Sequence, residues 1–322
     1  MLGIVTPPYY RSTVQVILSL FAQKSNCFHN FFDGKIFIMQ NSAETRTDLA
    51  LEAADTGDGK LPDGVSVSEK VIQDIKFTNV CIETPQAAKR LGRPIGTYLT
   101  FEGELTNSQA FINLLTQSLQ ELLPKGPVLV VGLGNRDITP DALGPDVAQQ
   151  VIATYHFLPE QLESIGLQNL RKVCSLAPGV MGQTGFEVAN LVASAIKTLP
   201  FSAVIAVDAL AARSASRLGK TIQLSTSGIS PGSGVLNARA ELSTQSLGVP
   251  VFSLGIPTVV DAATLLSDFC PSCSGSDTAA SMMVTPRDID QIITQGARIM
   301  AVAINRALQP QLSQQDITEL MS

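Results

Sequence analysis

Two uninterrupted apolar runs rich in β-branched residues constrain this chain most: VLVVGLGN at 128–135 and AVIAV at 203–207. A strand run without polar alternation is buried on both faces, the environment of a parallel sheet covered by helices. Each run leads to an aspartate. The first passes through RDITP to Asp141, and the second ends directly on Asp208. In open α/β sheets, ligands and chemistry gather beyond the carboxyl ends of the strands. Two carboxylates delivered there can share a proton and activate a water, acid–base chemistry that needs no metal, serine or cysteine.

The rest of the chain supports that architecture. VSVSEKVI, IKFTNVCIE and GTYLTFEG, between 65 and 103, alternate in polarity and read as three strands of a half-buried antiparallel sheet. Residues 107–123 carry apolar positions at helical spacing, with Thr106 or Asn107 as the cap and Pro124 beyond the end. Strand-like stretches then fall at 128–133, 172–176, 203–207, 221–224 and 251–254, and helix-like ones at 146–155, 186–197, 259–268 and 286–308. Alternation of this kind predicts an α/β fold, a mostly parallel sheet with helices on both faces, plus a small antiparallel β subdomain before it. The expected division is an extension over 1–48, the antiparallel subdomain over 49–104 and the α/β core over 105–322.

Residues 1–45 differ from the remainder. Their apolar stretch at 14–22 is short for a secretory signal and no small-x-small cleavage site follows it. They read as a dispensable extension, with Met39 as an alternative start. Hydrophobic residues make up 45% of the chain and charged residues 16%, enough apolar content for a substantial core. The net charge of −6, with no basic run beyond Lys89-Arg90, argues against nucleic acid as a partner, and no apolar stretch is long enough for a membrane span.

Other chemistries fit poorly. The five cysteines are odd in number and scattered, which argues against a disulfide framework. Cys270 and Cys273 have ligand spacing, yet no second pair accompanies them, so no metal site is expected. Gly132-Leu133-Gly134 opens like a dinucleotide loop, but Asp137 stands where the third glycine belongs. Ser214 and Ser233 lie outside any nucleophile elbow, and His156 is the one histidine of the core region. No cofactor is expected. The glycine- and serine-rich stretch 225–234, including Ser230, Gly232 and Gly234, permits close backbone approach to a ligand and serves equally as a plain connection. Arg213, just past the second run, either orients a carboxylate or makes a surface ion pair.

LVVGLGNRDITPDALGP, LAPGVMGQTGFE, IAVDALAARS, STSGISPGSGV and GIPTVVDA, in that order and spacing, closely resemble the spore germination proteases, endopeptidases of small acid-soluble spore proteins. The resemblance runs from about residue 46 to 268 and resumes at MVTPRDID. The GLGN…D opening also resembles hydrogenase-maturation endopeptidases, which share the fold. The resemblance implies an atypical aspartic endopeptidase of the spore core (cytoplasmic), a homotetramer made as a zymogen, with small acid-soluble spore proteins as substrate. Carried over by position, its catalytic carboxylates fall on Asp141 and Asp208, the two residues the strand argument selects; which is acid and which is base stays open. The family's substrates resemble a threonine–acid pair, a bulky apolar residue, then alanine with an acid shortly after. Thr47-Asp48-Leu49-Ala50-Leu51-Glu52 has that form where the propeptide ends, so self-processing between Asp48 and Leu49 is expected. The long insertion usual before MVTP is replaced here by residues 269–281. Two further readings stand beside this one: a metal-guided maturation endopeptidase, with His156 as the candidate contact, and a catalytically silent binding module on the same fold.

Overall fold

The computed structural model describes residues 47–55, 61–164, 166–230, 240–269 and 282–321. Nine strands form one mixed sheet: β1 (Val65–Ile72), β2 (Ile75–Ile82), β3 (Gly96–Glu102), β4 (Val128–Gly132), β5 (Val173–Leu176), β6 (Ala203–Ala212), β7 (Thr221–Ser225), β8 (Val251–Asp261) and β9 (Met283–Val284). Their order is β1-β2-β3-β7-β8-β6-β4-β5, with β9 on the far part of β8. The core strands β8, β6, β4 and β5 run parallel. The three initial strands pair antiparallel with one another and continue into the core sheet through β3 and β7. The main helices are α1 (Ala50–Ala54), α2 (Pro85–Leu91), α3 (Ser108–Leu122), α4 (Leu143–Gln150), α5 (Val188–Thr198), α6 (Ala262–Phe269), α7 (Ile289–Leu308) and α8 (Gln314–Leu320).

The period of two along each strand splits the core into two layers. Val128 and Val130 of β4, with Ile205 and Val207 of β6, pack against α3, α4 and α7 through Phe111, Leu115, Leu143, Val147, Met300 and Ile304. Leu129 and Val131, with Val204 and Ala206, face the opposite layer, where Val188 and Val192 of α5 cover them. Helices on both faces explain why these runs carry no polar alternation. Asp208 continues the series of Val204 and Ala206, so it belongs to the α5 face of the sheet.

Two expectations need correction. The strand carrying Asp208 does not end there: β6 continues to Ala212, paired with β8. β4 is the strand that stops, its last pair being Gly132 with Val207. Asp208 is therefore the first residue of β6 beyond the end of β4. Likewise the helix expected over 259–268 begins at Ala262, and Val259, Val260 and Asp261 belong to β8. The cause is a bulge. Leu210 pairs with Pro257 and Ala211 with Val259, leaving Thr258 as the extra residue. Proline is tolerated at such a place because the pairing of β7 with β8 ends at Gly255. The bulge turns Thr258 so that its Oγ1 donates to the carbonyl of Pro140, at 2.7 Å, tying β8 to the turn that carries Asp141.

Candidate active site

Asp141 closes a single 3-10 turn, Thr139–Asp141, between β4 and α4. The backbone N–H of Asn135 donates to Asp141 Oδ2 at 2.7 Å, drawing the turn back onto the end of β4. That approach needs glycine at 134. Its φ is +114°, and a Cβ there would stand 2.1 Å from the carbonyl oxygen of Asp141. The glycine pair that opens like a dinucleotide loop thus has a local task, bringing Asp141 over the strand end. The same loop is braced from outside by Gln183, whose Nε2 donates to Asn135 Oδ1 and Asp137 Oδ2, each at 2.9 Å.

Asp208 is only 7% exposed, and its Oδ1 accepts from the Ala209 N–H at 2.9 Å. Asp141 and Asp208 line one cavity of about 560 Å³, together with Asp48, Ser230 and Thr258. Arg93, Tyr98, Gln223 and Glu241 line it as well. Sequence reasoning missed these four. Gln223 carried a legible signal, being the one amide in the buried run of β7; Arg93 and Tyr98 carried none. Tyr98 Oη donates to the carbonyl of Pro94 at 2.7 Å, and burial pushes its phenol above the ordinary tyrosine value, with Ser227 pulling weakly the other way. It is a neutral donor in the cavity wall.

Asp48 enters this cavity from the amino-terminal side. Its N–H donates to the Ala211 carbonyl at 2.7 Å, and the Ala211 N–H donates back to Asp48 Oδ2 at 2.8 Å. Arg93 Nη1 stands 3.9 Å from Asp48 Oδ1. Leu49 is fully buried against Leu210, Ala212, Leu218 and Val260, and α1 then packs over β2 and β3 through Ala50 and Ala54. Residues 47–52 therefore lie across the sheet from the extension of β6 towards β3.

Arg213 does not line the cavity. Its Nη2 pairs with Asp55 Oδ2 at 3.4 Å, and its backbone N–H donates to Glu52. Gly232 and Gly234 lie outside the described residues, as do Ser233, Cys270 and Cys273. His156 stacks on Phe157 at 4.1 Å between ring centroids and is not among the lining residues. Cys174 is half-buried, and burial pushes its thiol upwards. Among the described residues, no three His, Cys, Asp or Glu side chains cluster as a metal-binding group, and no helix is long and apolar enough to cross a membrane.

The class defined here is an α/β protein with acidic side chains converging in a cleft at the carboxyl end of a parallel strand. Comparison with known proteins narrows it. A peptidase family model described as germination protease matches residues 43–271. The germination protease of Clostridium perfringens is 37% identical over 322 residues, covering 86% of this chain and 99% of that protein. That of Caldanaerobacter subterraneus subsp. tengcongensis is 35% identical, covering 86% and 98%. That of Halalkalibacterium halodurans is 42% identical over 245 residues, covering 69% and 65%. The chain belongs to the germination protease family and is a peptidase.

Proposed function

We propose that this peptidase is a self-processing endopeptidase that degrades small acid-soluble spore proteins in the core of the germinating spore, working as a homotetramer with Asp141 and Asp208 as its catalytic carboxylates. The observation that supports this most is that Asp48, in a segment resembling the family's substrates, lines the same cavity as both aspartates. The chain's own substrate-like sequence occupies the place a substrate would take.

Two carboxylates lining one cavity can divide the work, one ionised as base and one protonated as acid. The ionised partner takes a proton from a water as its oxygen attacks the peptide carbonyl carbon. The protonated partner then delivers its proton to the departing amide nitrogen, and the carbon–nitrogen bond breaks. A new carboxyl and a new amine result, with no external redox partner. Asp48 and Glu241 bring the carboxylates lining the cavity to four, and acidification lowers the repulsion among them. The Arg93 guanidinium is the cation placed to receive an acidic residue before the cut.

The test is amino-terminal sequencing of the full chain after mild acidification. The expected product begins at Leu49, and Asp48→Lys stays unprocessed because it sets a cation against Arg93. A stable product beginning elsewhere, or unchanged processing of Asp48→Lys, contradicts the reading.

A further inference from the structure

Gln223 has no assigned role, yet its surroundings are specific. It is 5% exposed, at the centre of β7. Its register partner on β8 is Gly255, and Gly255 is in turn the partner of Asp208 on β6. Directly opposed residues point to the same face of a sheet, so Gln223 and Asp208 flank Gly255 in one row, about 10 Å apart at Cα by strand spacing. A Cβ at Gly255 would stand 2.6 Å from the Asp208 carbonyl oxygen and from Leu210 Cγ. The row therefore has two polar side chains, with the Leu210 side chain reaching over the glycine between them.

The segment beside that row is gripped by Gln223 on both sides of Leu49. Gln223 Nε2 donates to the carbonyl oxygen of Asp48 at 3.0 Å, and its Oε1 accepts the N–H of Ala50 at 2.8 Å. If the cut falls between Asp48 and Leu49, the first of these contacts is to the oxygen of the peptide that is hydrolysed. We infer that Gln223 is a catalytic residue: its Nε2 polarises the scissile carbonyl and holds the oxyanion, while its Oε1 sets the register of the chain beyond the cut. This assignment rests on the reading of Asp48 and Leu49 as the processing site. As water oxygen bonds to the carbonyl carbon, the carbonyl π pair moves to the oxygen that Gln223 already contacts. It returns when the bond to the Leu49 nitrogen breaks and that nitrogen takes the proton from the acid carboxyl. A neutral amide suits the place, because it supplies a donor in a buried, low-dielectric site without adding a charge beside Asp208. The same Nε2 can serve the acidic residue's carbonyl in any substrate that binds in this register.

The experiment measures the first-order rate of self-processing in the full-length chain across pH, with the amino terminus of the product identified and thermal melting recorded for each variant. Gln223→Met keeps length and apolar packing but has no donor at any pH, and its rate is expected to fall by about 10²–10³-fold, with a lower Tm from the Ala50 N–H it strands. Gln223→Glu donates only while protonated. Its rate should drop as pH rises through the titration of the added carboxyl, on top of the parent chain's own dependence on acid. With a separate substrate that binds in this register the loss should fall on kcat, whereas a residue that merely clamps the segment would raise KM. Cleavage of both variants between Asp48 and Leu49 at the parent rate and with the parent profile would overturn the assignment while leaving the processing site intact. A parent chain uncut at that bond would overturn the site, and this assignment with it.

Discussion

Asp208→Asn and Asp141→Asn are each expected to reduce peptide cleavage by about 10²–10⁴-fold, the range for loss of one acid–base group. Each change is nearly isosteric, so the fold should survive. In Asp208→Asn the amide oxygen still accepts from Ala209 N–H, and in Asp141→Asn it still accepts from Asn135 N–H. What disappears is the capacity to hold or release a proton in the shared cavity. The loss should appear with the chain's own segment and with a separate substrate alike, while circular dichroism and the melting temperature stay close to the parent. The double variant should be little worse than either single one, because the two groups act as a unit and their effects are not additive. Near-parental turnover in either single variant would make that residue structural and would remove the proton-sharing mechanism.

The other large effect concerns stability and lies away from the reacting bond. Glu52 is 3% exposed, yet it is fully partnered. It accepts from the backbone N–H of Arg213 at 2.7 Å and of Ser214 at 3.0 Å, and from Thr47 Oγ1. Its Oε1 stands 3.1 Å from Arg217 Nε, and Arg217 also pairs with Glu102. One carboxylate thus joins the amino-terminal segment to the turn after β6 and to the edge of β3. Removing it in Glu52→Ala strands two backbone donors and weakens the charge balance around Arg217. Stranding a buried donor costs ~1–3 kcal/mol, and because Arg217 keeps Glu102 a loss of ~2–4 kcal/mol is expected in urea unfolding. Glu52→Gln keeps the shape and one acceptor, so its loss should be smaller. An alanine variant destabilised by less than ~1 kcal/mol would show the network to be peripheral. Because the same segment brings Asp48 into the cavity, Glu52→Ala should also slow self-processing.

What the sequence makes legible follows from how local each signal is. The buried runs of β4 and β6, the three alternating strands before them and the periodicity of α3 all declare themselves within a few residues, and each stands where its pattern places it. The lengths of β6 and β8 do not. Their outer halves are held by pairing with each other across the Thr258 bulge, so Asp208 reads as a strand end when it is the point where β4 drops away. The stretch Val259-Val260-Asp261 reads as helix because the bulge that keeps it in the sheet depends on a partner strand far earlier in the chain, Ala211 pairing with Val259. α1 and α2 are too short for periodicity to reveal, although Thr84 caps α2 by accepting from the Ala87 N–H. The two aspartates are legible because strand ends in such sheets collect chemistry. Arg93, Tyr98 and Gln223 reach the cavity from the antiparallel strands or their connections, through the joining of β3 to β7, and no local pattern announces that junction.

The central expectation is that this cavity hydrolyses a peptide bond following an acidic residue by means of its two carboxylates. The most direct test incubates the acid-treated protein with a purified small acid-soluble spore protein, with and without a strong chelator, and weighs the fragments by mass spectrometry. The expected result is a discrete cut after an acidic residue and before a bulky apolar one, at the same rate in chelator and abolished in Asp208→Asn. Intact substrate, scattered cuts, or activity lost in chelator and restored by nickel or zinc would contradict it.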